Sequence, residues 1–185
     1  MRENIPEAFQ SERLDIRCPR PEDAPLVHAA AVESAAEIRE WLPWAIKLPT
    51  ADEQLEIERG AQQKYRTGED LRFNLFLKDT NTFVGGSGLH RINWSVPCFE
   101  IGYWLRTSMT GQGFITEAVR AVNAFAFEQL GAQRVEIRMS SRNVRSRRVA
   151  ERVGFPIESI MRKQARENDG SLCDTCVYAM IAPDA

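Results

Sequence analysis

Phe99-Glu100-Ile101-Gly102-Tyr103-Trp104-Leu105, closely followed by Gly111-Gln112-Gly113-Phe114-Ile115-Thr116-Glu117, is the stretch of this chain whose residue types and spacing could do chemistry. Glycines on either side of Gln112 permit a tight turn whose backbone N–H groups converge on an anion. The apolar-periodic run Ala118 to Leu130 supplies a helix behind that turn, with the positive end of its dipole aimed at the same place. A pyrophosphate-bearing cofactor is the natural occupant. Two common phosphate binders are excluded by spacing: no Gly-Lys-Ser/Thr follows as in a Walker loop, and the third glycine and early βαβ position of a dinucleotide fingerprint are missing.

The elements that would position this stretch follow from periodicity and caps. Glu12 to Cys18 alternates apolar and polar and predicts a first strand, after which Pro21-Glu22-Asp23-Ala24 opens a helix with acids in its first turn. Glu37 to Leu42 reads as a second, short helix stopped by Pro43, and Thr50-Ala51-Asp52-Glu53 as a capping box starting a third that runs to about Arg66 and ends at Gly68. Arg72 to Lys78 and Thr82 to Ile92 predict two strands joined at Asp79-Thr80-Asn81, and Pro97 introduces the strand holding Glu100. Beyond the glycine-led helix come a strand over Val135 to Met139, a helix over Val144 to Val153 capped by Asn143 and stopped at Gly154, and two strands around Asn168-Asp169-Gly170. This order implies an α/β mixed sheet with helices on both faces, not a doubly wound parallel one.

At 185 residues, 43% of them hydrophobic, residues 1–185 fit a single domain with a substantial core. No run nears the roughly 18 apolar residues that cross a bilayer, and Met1-Arg2-Glu3-Asn4-Ile5-Pro6 lacks a signal peptide's apolar region, which favours a cytoplasmic setting without a membrane partner. Cys18, Cys98, Cys173 and Cys176 are then expected as reduced thiols. Cys173 and Cys176 have zinc-knuckle spacing, but in a strand positions three apart point to opposite faces, so no metal site is expected. Residues 1–70 carry 15 acidic against 9 basic side chains, a balance of −6, whereas Arg134, Arg138, Arg142, Arg145, Arg147, Arg148 and Arg152 face only Glu136 and Glu151. One end of the domain suits cations and the other anions.

Glu12-Arg13-Leu14, Trp41-Leu42-Pro43-Trp44, Gly85 to His90, Glu100 to Tyr103, Gly111 to Ala118, and Asn143-x-x-Ser146 ending at Gly154-Phe155 together span almost the whole chain. With these marks the chain resembles the GNAT superfamily of acetyl-CoA-dependent N-acetyltransferases, more narrowly its RimJ/RimL-type branch of ribosomal-protein N-terminal acetyltransferases. The resemblance implies a central mixed, mostly antiparallel sheet of about seven strands with one splayed pair, acetyl-CoA as co-substrate and no metal. It puts main-chain N–H groups of Gly111, Gln112, Gly113, Phe114, Ile115 and Thr116 on the pyrophosphate, and backbone groups of Tyr103, Trp104, Leu105 and Arg106 on the pantetheine arm. Asn143 would cap its helix and touch that arm, and Arg145 and Arg148 would meet the adenosine phosphates. Two positions depart from the pattern: Ser108 stands where the turn usually begins with Gln or Arg, and Ala150 where many members carry an acid tyrosine.

Acetyl transfer requires a neutral amine. An α-amino group with a pKa near ~8 is substantially neutral at physiological pH, whereas a lysine near ~10.4 must lose about three pK units, roughly 4 kcal/mol. Glu100, sharing a strand face with Gly102 and Trp104, is the expected base, and Ser146 the expected acid or hydrogen-bond donor to the CoA sulfur. The implied activity is direct attack, in a ternary complex, by a protein or peptide N-terminal amine, ribosomal proteins included. The alternatives are a polyamine, amino acid or antibiotic acceptor and a catalytically silent CoA-binding sensor; a homodimer is compatible with each. An RNA-binding module built on the arginine cluster is disfavoured, because stacking aromatics are missing and the chain is acidic overall. Trp41, Trp44 and Phe73 are expected in the core, and the isolated His28 and His90 without a catalytic part.

Overall fold

The computed structural model describes residues 5–183; Met1 to Asn4 of the N-terminal reading lie outside the described residues. Strands β1 (Ala8–Gln10), β2 (Leu14–Arg17), β3 (Leu71–Leu77), β4 (Phe83–Asn93), β5 (Cys98–Leu105), β6 (Arg134–Ser140), β7 (Ile157–Arg166) and β8 (Leu172–Ile181) form one sheet in the order β1-β2-β3-β4-β5-β6-β8-β7. Every neighbouring pair is antiparallel except β5 with β6. Helices α1 (Ala24–Ile38) and α2 (Ala51–Thr67) cover one face, and α3 (Phe114–Leu130) and α4 (Val144–Val153) the other. Strand alternation sorts the contacts: on β3, Phe73 meets Phe125 of α3 edge-on at 5.6 Å, while the next residue, Asn74, donates to Glu58 of α2 at 3.1 Å.

The mixed sheet with helices on both faces is as expected, with one strand more. The addition, β1, sends only Phe9 inward, where it stacks on Phe125 at 4.4 Å. Three residues are too few to show alternation. The short helix expected over Glu37 to Leu42 does not form: α1 continues through Ile38, Leu42 closes back on the Ile38 carbonyl at 2.9 Å, and Pro43–Ala45 makes a single 3₁₀ turn. No cap or glycine separates Glu37 from the helix before it, so nothing breaks the helix there.

Caps set the other boundaries. Thr50 Oγ1 accepts the Glu53 N–H at 3.3 Å while the Thr50 N–H donates to Glu53 Oε2 at 2.7 Å, and α2 stops at Gly68 with φ +71°. Behind α1 and α2 lies a buried, charge-balanced polar cluster. Arg17 makes two 2.6 Å bonds to Asp23, Asn74 bridges Asp23 and Glu58 at 3.1 Å each, and Arg72 closes on Glu58 at 2.7 Å. Removing one charge would strand its partner in the interior, at roughly 3–5 kcal/mol.

Candidate active site

β5 and β6 pair over only three residues, Cys98 with Arg134, Phe99 with Val135 and Glu100 with Glu136. Beyond them β5 stays on β4 as far as Gly85 with Leu105, and β6 stays on β8 as far as Ser140 with Thr175. The two strands therefore part, each held from outside, and open a cavity of about 940 Å³. The Arg106 N–H donates to the Val84 carbonyl at 2.9 Å and the Gly102 carbonyl accepts from Ser87 Oγ at 3.0 Å, so even-numbered residues of β5 turn their main chain to β4. Ile101, Tyr103 and Leu105 turn theirs to the gap.

Of the residues singled out from sequence, Glu100, Tyr103, Trp104, Leu105, Gly111, Ile115, Asn143, Arg145, Ser146 and Arg148 line this cavity. Arg106 does not front it: its main chain serves β4 and its guanidinium is tied to Glu33 of α1 at 2.6 Å. Trp104 shares the even parity, so its peptide also faces β4, and its indole packs 5.6 Å from Trp44. Gln112, Gly113, Phe114 and Thr116 are outside the lining and form the turn and first helical residues behind it.

The glycine turn has the geometry its sequence demanded. Gly111 and Gly113 sit at φ +77° and +81°, and Gly113 is the N-cap of α3. Glu117 is the residue whose N–H reaches the Gly113 carbonyl, at 3.1 Å, so the N–H groups before it point out of the helix end. Phe114 is buried in the core beneath Arg13, whose guanidinium lies 4.5 Å from the ring centroid. Arg13 also donates to the Gln112 carbonyl at 3.0 Å and to Glu117 Oε2 at 2.7 Å, while Glu117 Oε1 accepts from Ser11 Oγ and the Arg13 N–H. Burial pushes the Glu117 carboxyl up, but these donors outweigh it and hold the pKa below the usual glutamate value. At Ser108 the N–H is bound to Glu33 Oε1 at 2.9 Å.

Across the gap, Asn143 Oδ1 accepts the Ser146 N–H at 3.0 Å and starts α4, which ends at Gly154 with φ +99°. Ser146 Oγ lies 2.8 Å from the Tyr103 hydroxyl, which also reaches the Ser146 carbonyl at 3.0 Å. Burial pushes the Tyr103 phenol up to about 12, so it stays protonated. Sequence reading assigned Tyr103 through its backbone alone; the odd parity that turns its peptide to the gap also sends its ring to the α4 side. Ala150 is fully buried in the core.

Glu100 faces the opposite side of the sheet. Burial raises its pKa, against the pull of Arg91 and Arg138. Its buried Oε2 has no hydrogen bond; Arg91 Nε approaches it to 3.4 Å. Neither histidine is isolated: His28 Nε2 contacts the Pro49 carbonyl at 3.1 Å, and His90 Nδ1 lies 2.6 Å from Asp70 Oδ1. Phe73 is in the core as expected, but Trp41 lines the cavity and Trp44 is 43% exposed.

Residues 13–156 match the family model described as Acetyltransferase (GNAT) domain. The probable N-acetyltransferase YjcK of Bacillus subtilis (strain 168) is 35% identical over 124 residues, 66% of this chain and 68% of that protein. The putative ribosomal N-acetyltransferase YdaF of the same organism is 30% identical over 172 residues, 92% of each. Among solved structures, RimL, a ribosomal L7/L12 alpha-N-protein acetyltransferase in complex with coenzyme A, shares the fold with a TM-score of 0.87 at 24% identity, over 95% of this chain and 98% of that one. A sheet that opens beside a glycine turn, and a match that runs from the residue bracing that turn to just past the end of α4, agree: this chain belongs to the acetyltransferase (GNAT) domain family.

Proposed function

We propose that residues 1–185 act as one N-acetyltransferase domain that moves an acetyl group from acetyl-CoA to a primary amine, with a protein N-terminal α-amine as the acceptor. The observation that carries this is the parting of β5 from β6 after three pairs, into a cavity that Gly111 and Ile115 at the start of α3 also line. Main-chain N–H groups of the Gly111 to Thr116 turn suit a pyrophosphate, and the free edge of β5 at Tyr103 and Leu105 suits the amide-bearing arm of CoA. Arg145 and Arg148 line the same cavity and suit the adenosine phosphates.

Bound acetyl-CoA supplies the activated carbonyl. Glu100, with one oxygen bare of hydrogen bonds and a pKa raised by burial, takes the proton that the amine loses as it attacks. Ser146 donates a hydrogen bond to the departing sulfur, and Asn143 holds Ser146 by capping its helix. The ribosomal acceptors in the names of YdaF and RimL, and the acidic N-terminal half of this chain, support a cationic protein N-terminus.

Thiol release from acetyl-CoA, measured across N-terminal peptides, lysine, polyamines and aminoglycosides, tests the proposal. Peptides with a free α-amine should turn over fastest. Fastest turnover of a polyamine or aminoglycoside overturns the acceptor, tight CoA binding with no thiol release to any amine makes the chain a sensor, and no heat on titrating CoA ends the reading.

A further inference from the structure

His90 stands on β4 with Asp70 at one end of its ring and two glycines under the other. Its Nδ1 lies 2.6 Å from Asp70 Oδ1, and an ionised carboxylate can only accept, so Nδ1 is the donor and, in the neutral ring, Nε2 is the nitrogen with the lone pair. The Nε2 edge of the ring lies close over two glycines. A Cβ on Gly88 would come within 2.9 Å of Nε2, and one on Gly102 within 2.8 Å of Cδ2 and 3.0 Å of Nε2, so only glycine at both positions leaves room for it. Gly102 lines the cavity, and His90 is the cross-strand partner of Glu100. The His90 side chain is 35% exposed, which lets a proton collected there leave to water.

We infer that Asp70 and His90 form the terminal proton acceptor of the acetyl-transfer reaction, receiving at His90 Nε2 the proton that Glu100 draws from the acceptor amine. This rests on the acetyl-transfer reading above. As the amine nitrogen bonds to the acetyl carbon, the carbon–sulfur bond breaks and its electron pair leaves on sulfur. The amine proton passes to Glu100 and then, through water, to its cross-strand partner His90 at Nε2, and the sulfur is protonated from water past Ser146. The proton then leaves the exposed edge of His90 to water, which returns Glu100 ionised. The charged groups around the ring are Asp70 and Arg72 from the β3 side, Glu58 of α2 through Arg72, Glu100 of β5, and Arg91 next to it in β4.

The test measures kcat and KM with the best peptide acceptor over pH 6–9 for the wild type, His90→Gln and Asp70→Asn, with CoA affinity by calorimetry. His90→Gln should lower kcat about 10–100-fold, leave CoA affinity within about twofold, and give a pH profile of kcat different from that of the wild type. Asp70→Asn, which keeps the ring but frees its tautomer, should lower kcat by about 3–30-fold. A His90→Gln enzyme with wild-type kcat and pH profile overturns the inference, as does an Asp70→Asn enzyme indistinguishable from wild type. Should His90→Gln lose CoA binding altogether, Asp70→Asn decides alone. A wild type that transfers acetyl to no amine overturns the acetyl-transfer reading itself, before any variant is made.

Discussion

Arg13 and Glu117, 104 residues apart in sequence, are joined twice: Arg13 Nε donates to Glu117 Oε2 and the Arg13 N–H to Oε1, both at 2.7 Å. The pair ties the start of β2 to the first turn of α3, and through the Gln112 carbonyl Arg13 grips the glycine turn itself. Glu117→Gln should weaken CoA binding several-fold and lower stability by about 1–2 kcal/mol at pH 7, discounted for the exposed arginine. Because the folded pKa of Glu117 is depressed, its stabilisation is complete above the ordinary glutamate value near ~4.3 and is lost as pH falls through the lowered value. Thermal melts should therefore show the wild-type advantage over Glu117→Gln shrinking below about pH 4. An advantage that stays constant down to the acid limit would remove the linkage.

Glu100→Gln should leave CoA affinity unchanged and lower kcat by about 10²-fold. Its folded pKa is raised, so ionised Glu100 costs stability above that value, and the cost is relieved as pH falls through it. The glutamine enzyme should accordingly melt at or above the wild-type temperature at pH 7, the trade expected of a group kept for chemistry. A slow enzyme that also melts lower would mark Glu100 as structural.

The single phenol proton of Tyr103 can go to Ser146 Oγ or to the Ser146 carbonyl, and only the first leaves the serine proton free for sulfur. Tyr103→Phe and Ser146→Ala should each lower kcat about tenfold, and the double variant little further, because one hydrogen bond joins them. Multiplied losses in the double variant would show that the two side chains act separately.

Gly113→Ala adds a Cβ that meets only Arg13 Nη2, at 3.6 Å, so its penalty is conformational. Alanine at φ +81° costs about 1–2 kcal/mol or rotates the turn. Calorimetry should show CoA affinity falling about tenfold, with kcat at saturating acetyl-CoA nearly intact. Undiminished affinity would mean that the turn does not hold the phosphates.

Much of this molecule was legible where the physics is local. Asn143 and Gly154 bound α4 because a side-chain cap and a left-handed glycine act within one turn, and Thr50, Glu53 and Gly68 do the same for α2. The Gly111 and Gly113 conformations followed from what only glycine adopts cheaply. What the residues by themselves did not show depends on partners distant in sequence. The gap between β5 and β6 was expected from the family resemblance alone, because it is created by where their pairing stops, which no residue in either strand announces. Tyr103 meets Ser146 across 43 residues, and Asp70 meets His90 only because β3 and β4 are in register. Arg13, a family mark in the sequence, declared its job only when Gln112, Phe114 and Glu117 came to surround it.

An eight-stranded sheet bridged at its centre by three residue pairs is two plates sharing a short seam, and any guest seated in the notch becomes the missing rib between them. On the proposed reading, a donor molecule bound there would lend stiffness across the seam for as long as it stays.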